Sequence, residues 1–105
     1  MELRWSSAAE SELAGAAEFY EGRAKGLGVE FLDEAQQLAA LLAEFPNLGV
    51  SVSDVRREVL LNRFPYRLVY DLDDAGVRII AVAHQKQQPG YWQWRVEEDR
   101  MRYAA

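Results

Sequence analysis

Residues 56–84, RREVLLNRFPYRLVYDLDDAGVRIIAVAH, read as three β-strands joined by two turns. The strands are Arg56 to Phe64, Tyr66 to Leu72 and Val77 to His84. Pro65 has no amide hydrogen to donate and marks the bend between the first two. Asp73-Asp74-Ala75-Gly76 is a hairpin turn signal between the second and third. Ile79 to Ala83 is an unbroken apolar run, and a strand of that kind needs cover on both faces.

The chain upstream supplies cover for one face. Ser7 and Glu10 have capping-box spacing. Ala9, Leu13, Ala16, Ala17, Tyr20 and Ala24 then follow at helical intervals. Gly26 and Gly28 stop this first helix. A second helix runs from Val29 to Phe45 with the stripe Phe31, Ala35, Leu38, Leu42 and Phe45, and Pro46 ends it. So short a glycine-rich link makes the two helices an antiparallel hairpin. Met1 to Trp5 has the length of a short strand, and a loop runs to about Asp54. The order β-α-α-β-β-β defines an α+β fold in one domain over residues 1–105. A two-helix hairpin packs on one face of a mostly antiparallel sheet of three to four strands, and a short C-terminal tail follows. Strict alternation in the last strand would turn Val77, Ile79, Ala81 and Ala83 toward the helices. Arg78, Ile80, Val82 and His84 would then share the opposite face, although the two-sided apolar pattern does not decide the matter.

Composition narrows the chemistry. By area scaling, 105 residues bury about two-thirds of their unfolded surface, enough for a core without staples. The absence of cysteine excludes disulfides and thiolate sites and suits a reducing cytoplasm. His84 is the single histidine, so a zinc site built from several histidines is excluded and a metal could rest only on carboxylates; no metal or other cofactor is expected. The longest apolar run, Leu38 to Ala43, is too short to cross a membrane, and no secretory signal is expected. The net charge is −5 but unevenly spread. Residues 1–50 carry three basic and nine acidic groups, whereas residues 56–95 carry seven basic and four acidic.

The common catalytic motifs are missing: there is no phosphate-binding glycine loop, dinucleotide fingerprint or serine elbow. Asp73-Asp74 and Glu97-Glu98-Asp99 read as solvated turn and helix surface. One constellation remains, with Arg63 and Arg67 flanking the Phe-Pro-Tyr bend and His84, Lys86, Tyr91, Trp92 and Arg95 in the run HQKQQPGYWQWR. Arginine forks bind phosphate or carboxylate, histidine moves protons near neutral pH, and exposed aromatics stack or anchor. The same residues have plainer uses. Arg63 and Arg67 suit ion pairs with the acidic helices, His84 a backbone bond at a strand end, and Tyr91-Trp92 a latch closing the core behind Pro89-Gly90.

EFYEGRAKGLGVEFLDEAQQL (18–38), RREVLLNRFPYRLVYDLD (56–73) and VRIIAVAHQKQQPGYWQWR (77–95), in this order, resemble the RelE/ParE superfamily of type II toxins. The resemblance implies a helix hairpin against an antiparallel sheet, and a cytoplasmic bacterial toxin held silent in a hetero-oligomer by a cognate antitoxin. The antitoxin would cover apolar sheet surface left bare by the chain's own fold. Two targets follow from the superfamily. ParE-like members poison DNA gyrase by binding, and the −5 charge and GYW ending favour this branch. RelE-like members cut mRNA on the ribosome, which would cast His84 as base or acid, Tyr91 as second proton donor, and Arg63 and Arg67 as phosphate clamps. An inactive, partner-binding member is the third possibility. Expected partner contacts are Arg56, Arg57, Arg78, Ile80, Val82, Lys86, Trp92 and Arg95.

Overall fold

The computed structural model describes residues 2–87 and 90–92. Strand β1 (Glu2–Trp5) leads into helices α1 (Ser7–Arg23) and α2 (Leu27–Glu44). Strands β2 (Val50–Ser51), β3 (Arg56–Leu60), β4 (Tyr66–Asp73) and β5 (Gly76–His84) follow. They form one sheet in the order β1-β5-β4-β3-β2, with β1 parallel to β5 and every other pair antiparallel. The strand count is five, against three to four expected. The extra strand, β2, is two residues long, too short for a period to show. Among the described residues no helix is long and apolar enough to cross a membrane.

Helix α1 begins one residue earlier than its capping-box spacing implies. Ser6 donates its N–H to the Ile79 carbonyl at 2.9 Å, the last step of the sheet. Its Oγ then accepts the Ala9 N–H at 3.1 Å, so Ser6, not Ser7, is the cap. This phase turns Ala9, Leu13, Ala16 and Ala17 inward, as their spacing requires. Gly26, at φ 87°, starts α2 without a side chain to cap it. Glu21 of α1 compensates, its carboxylate accepting the N–H groups of Gly26 at 2.9 Å and Gly28 at 3.0 Å. Gly28 lies within the first turn of α2, against the α1 backbone: a Cβ there would stand 2.5 Å from the Ala17 carbonyl oxygen. In α2, Phe31, Ala35, Ala39 and Leu42 are buried, whereas Phe45, expected in the stripe, is exposed at the C-cap.

Strand β3 stops at Leu60 rather than Phe64. Leu61 and Phe64 reach the core from a loop instead. Leu61 donates to the Tyr66 carbonyl, and Tyr66 donates back to Phe64 in a tight turn around Pro65. Glu34 of α2 holds this loop by accepting the N–H groups of Asn62 and Arg63. The core between helices and sheet includes Phe31, Leu42, Leu68, Tyr70, Val77, Ile79 and Val82. The Tyr70 hydroxyl donates to the Pro46 carbonyl at 2.7 Å and accepts the Gly49 N–H at 2.9 Å, which ties the 46–49 turn to the core. Burial pushes its pKa up, partly offset by the Gly49 bond and the nearby Arg57 charge.

A β-bulge sets the faces of β5. Val69 pairs with Ala81 but Tyr70 pairs with Ile79, so the register shifts by one residue at Ile80. Before the bulge, Val77 and Ile79 face the helices; after it, Val82 does. Ile80, Ala81 and Ala83 join Val69 on the opposite face. Strict alternation therefore fails at one residue, and Val82 lies in the helix-side core rather than on the open face. Nor is that opposite face bare along β5. Trp92 lies over Val69, Ile80, Ala81 and Ala83 with 3% of its surface exposed, and Tyr91 packs beside it. The expectation of a sheet centre left for a partner to cover is overturned here, and the latch reading of Tyr91-Trp92 describes the contact.

Candidate functional site

The four residues of the ribonuclease constellation do not converge. His84 lies beyond the bulge on the helix side, edge-on to Tyr66 with ring centroids 5.0 Å apart. Its Nδ1 accepts the Lys86 N–H at 3.0 Å, which leaves the Nε2 as the protonated nitrogen of the neutral ring. Arg67 is on the other face of the sheet, its guanidinium 5.7 Å from the Trp92 ring centroid. Its Nε lies 3.2 Å from Glu58 Oε1, off the line of a hydrogen bond, so this is an ion pair alone. Arg63 is on the exposed loop before Pro65, paired with Glu30 of α2 at 3.1 Å. Arg63 thus follows the plainer reading of an ion pair with an acidic helix, whereas Arg67 pairs with a glutamate of strand β3. The Tyr91 hydroxyl donates to Glu12 Oε2 of α1.

Glu12 is the residue that sequence reasoning missed. Its Oε1 accepts the Val82 N–H at 3.0 Å while Oε2 accepts from Tyr91. One carboxylate thereby joins helix, bulged strand and latch. Register explains why Val82 needs it: β1 pairs with Gly76 to Ile79, and among the described residues no strand neighbours that edge of β5 from Ile80 onward. Nothing local to Glu12 marks this, because its partners lie 70 and 79 residues away. A cleft of about 330 Å³ opens beside it, lined by Gly15, Phe19, Tyr66, His84 and Gln87 among others. The Tyr66 pKa is raised, first by burial and then by Tyr20 and Glu12.

The expected partner contacts divide among several surfaces. Arg56 and Arg78 face away from the helices, both beside Asp71. Arg56 holds Asp71 through two hydrogen bonds, 2.8 and 3.2 Å. Arg57 points the other way and donates to the Gly49 carbonyl at 2.7 Å. Ile80, Val82 and Trp92 are buried within the chain, which corrects their assignment as free contacts. Lys86 is exposed in the turn after β5. Arg95, Glu97, Glu98 and Asp99 lie outside the described residues. Asp73, expected as solvated turn, is exposed and also accepts from Arg4 at 2.9 and 3.0 Å. That bond chiefly holds its carboxyl below the usual range, with the Ala75 and Gly76 N–H groups adding to it and burial opposing. Among the described residues no group of three or more His, Cys, Asp or Glu is placed to hold a metal ion.

The two-helix hairpin packed on the sheet is the arrangement that the resemblance to the RelE/ParE superfamily implies. A family model described as the ParE toxin of the type II toxin–antitoxin system parDE matches residues 3–89, and the chain belongs to that family. Among solved structures it is similar to a chain from the chromosomal ParDE toxin–antitoxin system of P. aeruginosa, with a TM-score of 0.68 and 18% identity. The match covers 80% of this chain and 95% of that one. No curated protein matches the sequence.

Proposed function

We propose that this type II toxin is silenced in the cytoplasm by direct binding of a cognate antitoxin, and that it inhibits DNA gyrase by binding rather than by catalysis. The observation that carries the second part is the separation of His84 from Arg67 by the sheet itself. Cleavage of RNA through attack of a ribose 2′-hydroxyl needs a base, an acid and cations around one phosphate. Here Arg63 and Arg67 are each paired with a glutamate, and His84 faces the helix side. The net charge of −5 also opposes entry into an RNA-lined cavity, where repulsion acts over about a Debye length.

The test is a pair of assays on the purified full chain: supercoiling by gyrase, and cleavage of ribosome-bound message. Inhibition of supercoiling, retained in His84→Ala, is the expected result. Message cleavage with supercoiling untouched would refute the gyrase reading. Normal growth when the chain is expressed without a partner would instead identify an inactive, partner-binding member.

A further inference from the structure

Among the described residues, a cluster of exposed apolar side chains lies at the β2–β3 edge, not over the middle of the sheet. Leu60, the last residue of β3, is 58% exposed and forms a ridge between two grooves. One groove, of about 400 Å³, runs between Leu60 and the α2 residues Leu38 and Leu41. The other, of about 310 Å³, runs from Leu60 to Leu48 and Val50, the latter 75% exposed. Among the described residues the sheet stops short here, because β2 pairs with Arg57 and Glu58 and no described strand lies beside Val59 and Leu60 on that side. A continuous exposed apolar strip of this kind marks a contact surface.

Charge selects the occupant. Helix α2 carries Glu30, Asp33, Glu34 and Glu44 and has no lysine or arginine. Glu44 stands in its last turn, where the carbonyl ends already present negative potential. Glu34 and Glu58 border the two grooves, and Arg67, the one cation lining them among the described residues, is paired with Glu58. A second copy would bring the same acidic rim and a further −5 charge, so self-association is opposed. A segment with aliphatic side chains flanked by lysine or arginine fits on both counts.

We propose that this edge groove is where the antitoxin seats such a segment. The inference rests on the reading that the chain is an antitoxin-bound toxin. The test uses the full chain and the protein encoded beside its gene, with affinity measured by calorimetry. Val50→Lys combined with Leu60→Lys is expected to weaken binding by about 100-fold or more, the scale of a lost hot spot. Leu41→Lys, across the ridge, should act in the same direction. Val29→Lys, an exposed apolar position outside both grooves, should leave affinity within about 2-fold. Thermal unfolding of each variant separates lost binding from lost fold. If the wild type binds and the double variant binds equally well, the groove assignment is wrong and the antitoxin reading stands. If the wild type does not bind, the antitoxin reading fails and takes the groove assignment with it. A wild-type dimer that the double variant loses, with antitoxin affinity unchanged, would assign the edge to a second copy and overturn the proposal.

Discussion

Alanine at Gly28 should destabilise the protein, whereas alanine at Gly15 should stabilise it. Both glycines are helical, and by backbone propensity alone each substitution gains about 1 kcal/mol. Their surroundings differ. An added Cβ at Gly15 meets nothing within 4 Å. At Gly28 it would meet the Ala17 carbonyl at 2.5 Å and Glu21 Cβ at 3.0 Å. Ordinary contact begins near 3.4 Å, so the α1 backbone must move away by about 0.9 Å. Overpacking of this kind costs about 1–3 kcal/mol. The movement also stretches the Glu21 bonds to the Gly26 and Gly28 N–H groups, worth about 1 kcal/mol each. The net loss is about 1–3 kcal/mol, a fall in Tm of roughly 5–15 °C for a chain of this size. Gly15→Ala should raise Tm by a few degrees. Thermal unfolding followed by far-UV circular dichroism at pH 7 reads both. A Gly28→Ala protein as stable as Gly15→Ala would refute the close crossing of the two helices.

Other substitutions test the remaining contacts. Glu12→Gln and Tyr91→Phe should each loosen the latch and shift Trp92 emission to longer wavelength; in a double-mutant cycle on stability they should couple by about 1 kcal/mol or more. Additive effects would show that the Glu12–Tyr91 bond does not hold the latch. Tyr70→Phe should cost about 1–3 kcal/mol by denaturant titration, because it strands the Gly49 N–H and the Pro46 carbonyl. The raised Tyr70 pKa means that this hydroxyl contributes full stability below about pH 10 and loses it as pH rises further. Asp73 has the opposite sign. With its pKa lowered, its contribution is present above about pH 4 and disappears as pH falls through the folded value. Asp73→Asn should therefore flatten the acid limb of the stability profile, and an unchanged limb would count against the Arg4 contact.

Much of the fold is legible in sequence because burial leaves a period. The α1 stripe Ala9, Leu13, Ala16 and Ala17 and the strand run Tyr66 to Leu72 repeat at 3.6 and 2 residues, and both elements form there. What is illegible has no period. Strand β2 is two residues long, and its pairing depends on the distant Arg57 and Glu58. The choice of Ser6 over Ser7 as cap depends on a bond to Ile79, which no local spacing records. The face of Val82 turns on a one-residue register shift inside a run where every side chain is apolar, so hydropathy carries no phase there. The site fared less well for the same reason. Adjacency in sequence brought His84 and Lys86 together correctly, but it could not show that the sheet stands between His84 and Arg67.

The register shift at Ile80 makes β5 tolerant of a length change that would scramble most strands. Deleting that residue leaves Val77 and Ile79 before the gap, and Val82 after it, on one side in plain alternation. Deleting Ala81 instead gives the same alternation, because Ile80 and Ala81 lie on the same face. Relatives of this chain whose last strand is one residue shorter should therefore show their alignment gap at Ile80 or Ala81.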